Sequence, residues 1–510
     1  MPTRRELLKL GLYGSTAMLC LTTSKLGTWT WALDENKNPV DRRVTPFQVD
    51  LPVPAFKGTV SPATLPGVPL FNDGIPTDYV SFNVQQTLAQ ILPGKKTLIW
   101  GYDGVSPGPT FRARLGRRLV ARQTNNLPVN INIHHHGGHT QSASDGSALP
   151  ELEIKPGAFR DYIYDNDDDV GATHWYHDHT LDVTGINVFM GLAGFYLLGS
   201  NTIDALNLPS GQFDVPLVIQ DRAFDANNQL AYNPFDHNGF IGNVFLVNGA
   251  TQPKFRVANR KYRFRVLNGS NARFYQLSLS SGRPFQIIGS DDGLLRAPIE
   301  ADQFLIAPAE RIEIVVDFSF HVPGPNTHVF LNNTLVQTEG RGPEGVDATQ
   351  PFPLLRFDVL DNVTDTSTVP AALETGIPNF NRAESVRTRQ FEFVRSQGAW
   401  QVNGRFYDPT RIDASVKLNT TEIWRLKNGG GGWFHPIHIH RNAFKILDRN
   451  GIPPKGHESG LKDVFVLNPG DVVNVITKYT GAKQLGRYAF HCHNIEHEDM
   501  RMMGLFEVVQ

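Results

Sequence analysis

The chain has 510 residues, enough for roughly two to four domains, and 48 Lys and Arg against 50 Asp and Glu leave a net charge of -2. No Lys/Arg-rich tract recurs beyond the N-terminus, so a nucleic-acid partner is not expected. The 46 Gly and 34 Pro, set among short runs of Val, Ile, Phe and Leu, suit an all-β protein.

Residues 1–33 read as a cleaved leader. Thr3-Arg4-Arg5-Glu6-Leu7-Leu8-Lys9 resembles a twin-arginine export signal, and the mildly apolar stretch from Leu10 to Leu21 is too short to span a bilayer. A periplasmic or secreted protein without a stable membrane anchor is the expectation. Of the two cysteines, Cys20 falls in this leader, which leaves Cys492 alone and no intramolecular disulfide.

Residues 34–75 are Pro-rich and irregular. The first clear strand is Tyr79-Val-Ser-Phe-Asn-Val84, apolar at alternate positions. A weak threefold repeat follows. Arg118–Thr124 runs into Asn125-Asn126, Tyr262–Leu267 into Asn268-Gly269, and Glu422–Lys427 into Asn428-Gly429. Each unit has a later half, opened by Pro156-Gly157, Pro308-Ala309 and Pro469-Gly470. Three related β-sandwich domains are therefore expected over 34–200, 201–375 and 376–510. The turn-rich Leu198–Phe213 marks one boundary, and the polar Asp361–Arg387 reads as an exposed linker at the other.

Ten of the 17 histidines fall into four clusters: His134/His136, His177/His179, His435/His438/His440 and His491/His493/His497. Each holds an H-x-H pair, which on a strand puts both imidazoles on one face. Two pairs come from the first domain and two from the third, so the seam between those domains is the expected meeting place. In His491-Cys492-His493 the thiol faces away from its two neighbours. A thiolate, imidazoles and a weak thioether form the ligand set of a blue-copper site, while the flanking histidines can serve a second site on the other face.

His134-His-His-Gly137, His177-Asp-His179, His435-Pro-Ile-His-Ile-His440 and the run from His491 to Met502 resemble, in order, the four copper motifs of multicopper oxidases. The likeness is strongest to bacterial spore-coat-type laccases and bilirubin oxidases. It implies three cupredoxin-like Greek-key β-sandwiches, the middle one without copper, and four copper ions. His435, Cys492, His497 and axial Met502 would hold the type 1 ion. His134 and His438 would hold type 2, and His136, His177, His179, His440, His491 and His493 the type 3 pair. Asp145 and Glu498, beside these motifs, would relay protons to dioxygen. His135, His139 and His174 fit places behind the ligands or on the surface, rather than ligation. Trp433 reads as a core aromatic that could also shape the donor surface.

The activity implied is one-electron oxidation of phenols, aromatic amines or bilirubin-like tetrapyrroles coupled to reduction of dioxygen to water, by a monomer. Three alternatives stand beside it. A cuprous or manganese oxidase would carry a Met-rich insertion, whereas the chain has six Met in all. A copper nitrite reductase would not need both histidines flanking Cys492. A copper-free periplasmic scaffold on the same fold would have lost ligands that are all present here.

Overall fold

The computed structural model describes residues 39–510 apart from 43, 168–169, 374–377 and 379. The expected leader and the expected boundary at 375/376 lie outside the described residues. The architecture is all-β: six sheets pack in pairs into three sandwiches, with a further two-stranded ribbon.

The first sandwich stacks a sheet of Thr97–Tyr102, Thr77–Ala89, Arg118–Asn125 and Phe159–Tyr164 on one of Gly108–Arg114, Ala193–Gly199, Ala172–Asp178 and Ile133–His136. The expected strand around Tyr79 lies within Thr77–Ala89. Val80, Phe82 and Val84 are in the core while Ser81 and Asn83 face out, the period-two pattern of a half-buried strand. Phe82, Phe111, Tyr102 and Tyr176 interlock edge to face between the two sheets. The middle sandwich pairs seven strands with five, and the third pairs five with five.

The repeat has a physical counterpart. In each sandwich a parallel pair recurs: Thr77–Ala89 with Arg118–Asn125, Asp214–Arg222 with Lys261–Asn268, and Ser385–Ser396 with Thr421–Asn428. Each second strand ends on a buried asparagine that ties the corner. Asn125 Nδ2 donates to the carbonyls of Val129 and Ile154, Asn268 Nδ2 to those of Arg273 and Ile306, and Asn428 Nδ2 to those of Trp433 and Leu467. In every case Oδ1 accepts from the backbone N–H two residues on, at 2.9–3.1 Å. A short amide is chosen there because it satisfies three backbone groups at once, two of them carbonyls buried in the sandwich.

Two connecting segments differ from expectation. Leu198–Phe213 is not all turn, since Ser200 caps a short helix, Asn201–Asp204, by accepting from Ile203 N–H. Within Asp361–Arg387, Leu373 is buried against Ile203, Leu208 and Ile288, so an apolar anchor fastens a segment whose composition suggests an exposed linker. No described helix is long and apolar enough to cross a membrane.

Candidate metal centre

Two antiparallel strand pairs carry the histidines. In the first sandwich, Ile133–His136 against Ala172–Asp178 sets His134 opposite His177. In the third, His435–Ile439 against Gly486–Cys492 sets His438 opposite His491 and Ile437 opposite Cys492. Alternation along the strands aims His134 and His136 one way and His135 the other. The two pairs face each other across the seam, and eight histidines meet there: His134, His136, His177, His179, His438, His440, His491 and His493.

The ring nitrogens sort into inward and outward sets. His134 and His438 turn Nε2 to Nε2 at 3.2 Å. His179, His440 and His491 bring three Nε2 atoms within 3.1–3.2 Å of one another. His136, His177 and His493 form a third group, in which His177 Nε2, His136 Nδ1 and both nitrogens of His493 have no protein partner although buried.

On four of the rings the outward nitrogen is occupied. His134 Nδ1 meets the carbonyl of Asp145 at 2.6 Å, His438 Nδ1 that of Asp463 at 2.8 Å, and His177 Nδ1 that of Asp178 at 2.7 Å. His440 Nδ1 meets Asp145 Oδ2 at 2.8 Å. A nitrogen that donates outward leaves a lone pair on its inward partner. Lone pairs clustered at such distances in a dry seam repel unless a cation lies among them. Burial pushes the ring of His177 down to about 4, and it holds His134, His136, His179, His438, His440 and His493 well below the ordinary histidine value. These rings are neutral donors at neutral pH, which a transition-metal cation requires.

On the other face of the strand, Cys492 Sγ lies 3.5 Å from both His435 Nδ1 and His497 Nδ1, and those nitrogens are 3.2 Å apart. Met502 is buried in the same core as Cys492. Its N–H donates to the His497 carbonyl and its own carbonyl accepts from Cys492 N–H. Met503, by contrast, points into a separate core beside Ala148 and Leu149. One soft sulfur with two imidazoles in an apolar pocket suits copper rather than a hard cation.

Asp145 and Glu498 are not solvated charges. Asp145 is fully buried, accepts from Ser147 Oγ and His440, and burial pushes its carboxyl up to about 7. Glu498 spans two histidines, with Oε1 3.3 Å from His179 Nδ1 and Oε2 3.1 Å from His491 Nδ1. The grouping of His134, Asp145 and His440 is thus better described as a carboxylate orienting rings than as another cation site.

None of the other histidines near the motifs lies on the surface. His135 packs among Tyr164, Tyr196 and His174, His174 Nε2 sits 3.5 Å from Asp292, and half-buried His139 accepts from Ala443 N–H. Trp433 is a core residue whose ring lies 5.5 Å from that of His497. Three residues here had no signal in the sequence. Trp400 lies against His497 with 3.8 Å between ring centres and the planes tilted by 32°, Ser147 supports Asp145, and Asp463 Oδ1 lies 3.2 Å from His136 Nε2. They stand outside every H-x-H pair, and only the tertiary fold brings them to the rings.

Models of the multicopper oxidase family match residues 83–202, 214–340 and 379–510. The chain belongs to the multicopper oxidase family. A bilirubin oxidase from Albifimbria verrucaria is 36% identical to it over 97% of this chain and 87% of its own length. A laccase from Bacillus subtilis is 33% identical over 81% of this chain and 90% of its own. The solved laccase of Pediococcus acidilactici superposes with a TM-score of 0.81 at 30% identity, covering 94% of this chain and 97% of that one. The sandwiches are therefore cupredoxin-like, and this multicopper oxidase is a copper-dependent oxidoreductase with dioxygen as electron acceptor.

Proposed function

We propose that this multicopper oxidase holds four coppers and draws single electrons from phenols, aromatic amines or bilirubin-like tetrapyrroles. One observation carries the reading: Cys492 faces His435 and His497, while the residues bonded to it, His491 and His493, belong to the eight-histidine cluster. A few covalent bonds of one strand join the two centres. His435, Cys492 and His497, with Met502 as a weak further donor, would hold a type 1 copper. His134 and His438 would hold a type 2 copper, and the two three-histidine groups, His179/His440/His491 and His136/His177/His493, would hold the type 3 pair. Copper bound there supplies one-electron acceptance at the thiolate and four-electron reduction of dioxygen to water at the histidines.

The chain's own part is to hold, orient and protonate. The carbonyls of Asp145, Asp463 and Asp178 fix three rings in the tautomer that aims Nε2 inward. Glu498, set between His179 and His491, and Asp145, beside His440, supply the protons that dioxygen reduction consumes. Trp400 and Trp433, both buried, pack against the His497 ring and keep water from it. Domain limits at 34–200, 201–375 and 376–510, twin-arginine export to the periplasm or medium, and a monomeric state complete the proposal.

The test is metal analysis followed by steady-state kinetics on bilirubin, a methoxyphenol, Cu(I) and Mn(II) side by side. Highest kcat/KM on an organic donor supports the reading. Highest kcat/KM on Cu(I) or Mn(II) would replace it with a metal-ion oxidase.

A further inference from the structure

The middle sandwich carries none of the clustered histidines, yet a side chain of it, Arg311, holds a carboxylate that faces them. Arg311 opens the strand Arg311–Asp317 and is fully buried. Its Nη1 and Nη2 donate to Asp463 Oδ1 and Oδ2 at 2.7 and 2.5 Å, the fork-on-fork geometry that fixes the plane of a carboxylate. Nε donates to the Thr173 carbonyl, Nη1 also to that of Ala309, and Nη2 to that of Asp291. One guanidinium therefore touches all three sandwiches.

The carboxylate it fixes faces the cluster. Asp463 Oδ1 lies 3.2 Å from His136 Nε2, and His136 Nδ1 is buried without a protein partner. A ring whose Nε2–H is given to a carboxylate keeps its lone pair on Nδ1 and becomes a stronger donor there. The main chain of Asp463 is held as well. Its N–H and that of Val464 donate to Asp291 Oδ2, while its carbonyl accepts from His438 Nδ1. Asp463 thus sets one ring from the first sandwich and one from the third. Gly137, directly after His136 and at φ +92°, turns against the ion pair. A Cβ there would lie 2.8 Å from Arg311 Nη2 and 2.9 Å from Asp463 Oδ2.

We propose that Arg311 is a positioning residue, which through Asp463 holds His136 with Nδ1 toward copper and steadies His438. The inference rests on the reading that the eight-histidine cluster binds copper. It differs from a simple interdomain clamp in one respect: a clamp would affect the Cys492 centre and the histidine cluster alike.

The test uses full-length copper-loaded protein carrying Arg311→Lys, which keeps the charge and loses the fork. Copper is withdrawn with a chelator while the visible absorption follows the Cys492 centre and EPR follows the histidine cluster. Expected is retention weakened about 10–100-fold at the cluster, an altered EPR signal there, and unchanged retention at the Cys492 centre. An unchanged ratio between the two centres overturns the inference, whether or not the copper-free variant melts earlier. Should Arg311→Lys not accumulate, Asp463→Asn decides by the same ratio, because an amide can present either oxygen or NH₂ to His136 and no longer dictates its tautomer. Wild-type protein run alongside separates the failures: if it loads the Cys492 centre and leaves the cluster empty, the functional reading falls and the inference with it.

Discussion

Burial raises the pKa of the Cys492 thiol, so in the empty protein the sulfur keeps its proton and only a bound cation makes it a thiolate. On the proposed reading, the colour of the copper-loaded protein would rest on that one atom. Cys492→Ser should abolish the visible absorption and the oxidation of donors together, while the histidine cluster still retains copper by metal analysis. A blue Cys492→Ser protein would move the type 1 site elsewhere. Met502 is the methionine fully buried in the core of Cys492, whereas half-buried Met500 packs against that core and Met503 belongs to another. A weak axial donor lowers a blue-copper potential. Met502→Leu should therefore keep the colour and raise the potential in a redox titration, and Met502→Gln should lower it; a potential unmoved in both would argue against axial ligation. At this scale the histidines and the cysteine are legible because alternation on a strand converts H-x-H and H-C-H into faces. Asp463 and Trp400 are not legible, since their nearness to His136 and His497 depends on pairings between distant segments.

The helix Ile495–Asp499 joins the two centres as an element. Asn494 caps it by accepting from His497 N–H, and its consecutive residues His497 and Glu498 turn to different sites: one toward Cys492, the other between His179 and His491. Glu498→Gln keeps the shape and removes the transferable proton. Anaerobic reduction by a phenol, followed by stopped-flow, should be unchanged, and reoxidation by dioxygen should slow by about 10²–10⁴-fold. Slowing confined to the reductive half would assign Glu498 to the donor side. The asparagine corners allow a second comparison. Asn268→Ala strips three hydrogen bonds and leaves two carbonyls buried in the sandwich without clustered histidines. It should cost about 1–3 kcal/mol in denaturant unfolding with copper content unaltered, and a loss of copper would contradict the separation of that corner from the centre. These corners are visible in the sequence because the same residue closes the same strand three times. The anchoring of Leu373 is not, because a single apolar residue in a polar stretch has no period to reveal it.

As a whole molecule the chain depends on the seams between its sandwiches, and charge rather than apolar surface fills part of them. Arg263, Arg265 and Glu313 alternate with apolar residues on ordinary strands of the middle sandwich, a pattern that reads in sequence as a solvated face. They are buried instead, because Thr173 of the first sandwich closes over them. Glu313 Oε1 accepts from Thr173 Oγ1 at 2.6 Å and from Arg265 Nη1 at 3.1 Å, and Oε2 accepts from Arg263 Nε at 2.8 Å. Burial raises the carboxyl of Glu313, but the two guanidiniums outweigh it and bring the group from 4.5 down to about 2. A carboxyl depressed by folding binds its proton more readily in the unfolded chain. Its contribution, about 3 kcal/mol, is fully present above the unfolded value of 4.5 and is lost as the pH falls through about 2. Denaturant unfolding of the wild type should therefore weaken between those two values. Glu313→Gln removes the carboxylate from both guanidiniums and leaves Asp214 as the one acidic group that Arg263 and Arg265 share, so it should lose about 3–5 kcal/mol at neutral pH. Its stability curve should also be flatter than that of the wild type in the acid window. Wild-type and variant curves running parallel from pH 4.5 to 2 would mean that acid lability arises at another carboxylate and that this seam does not govern it.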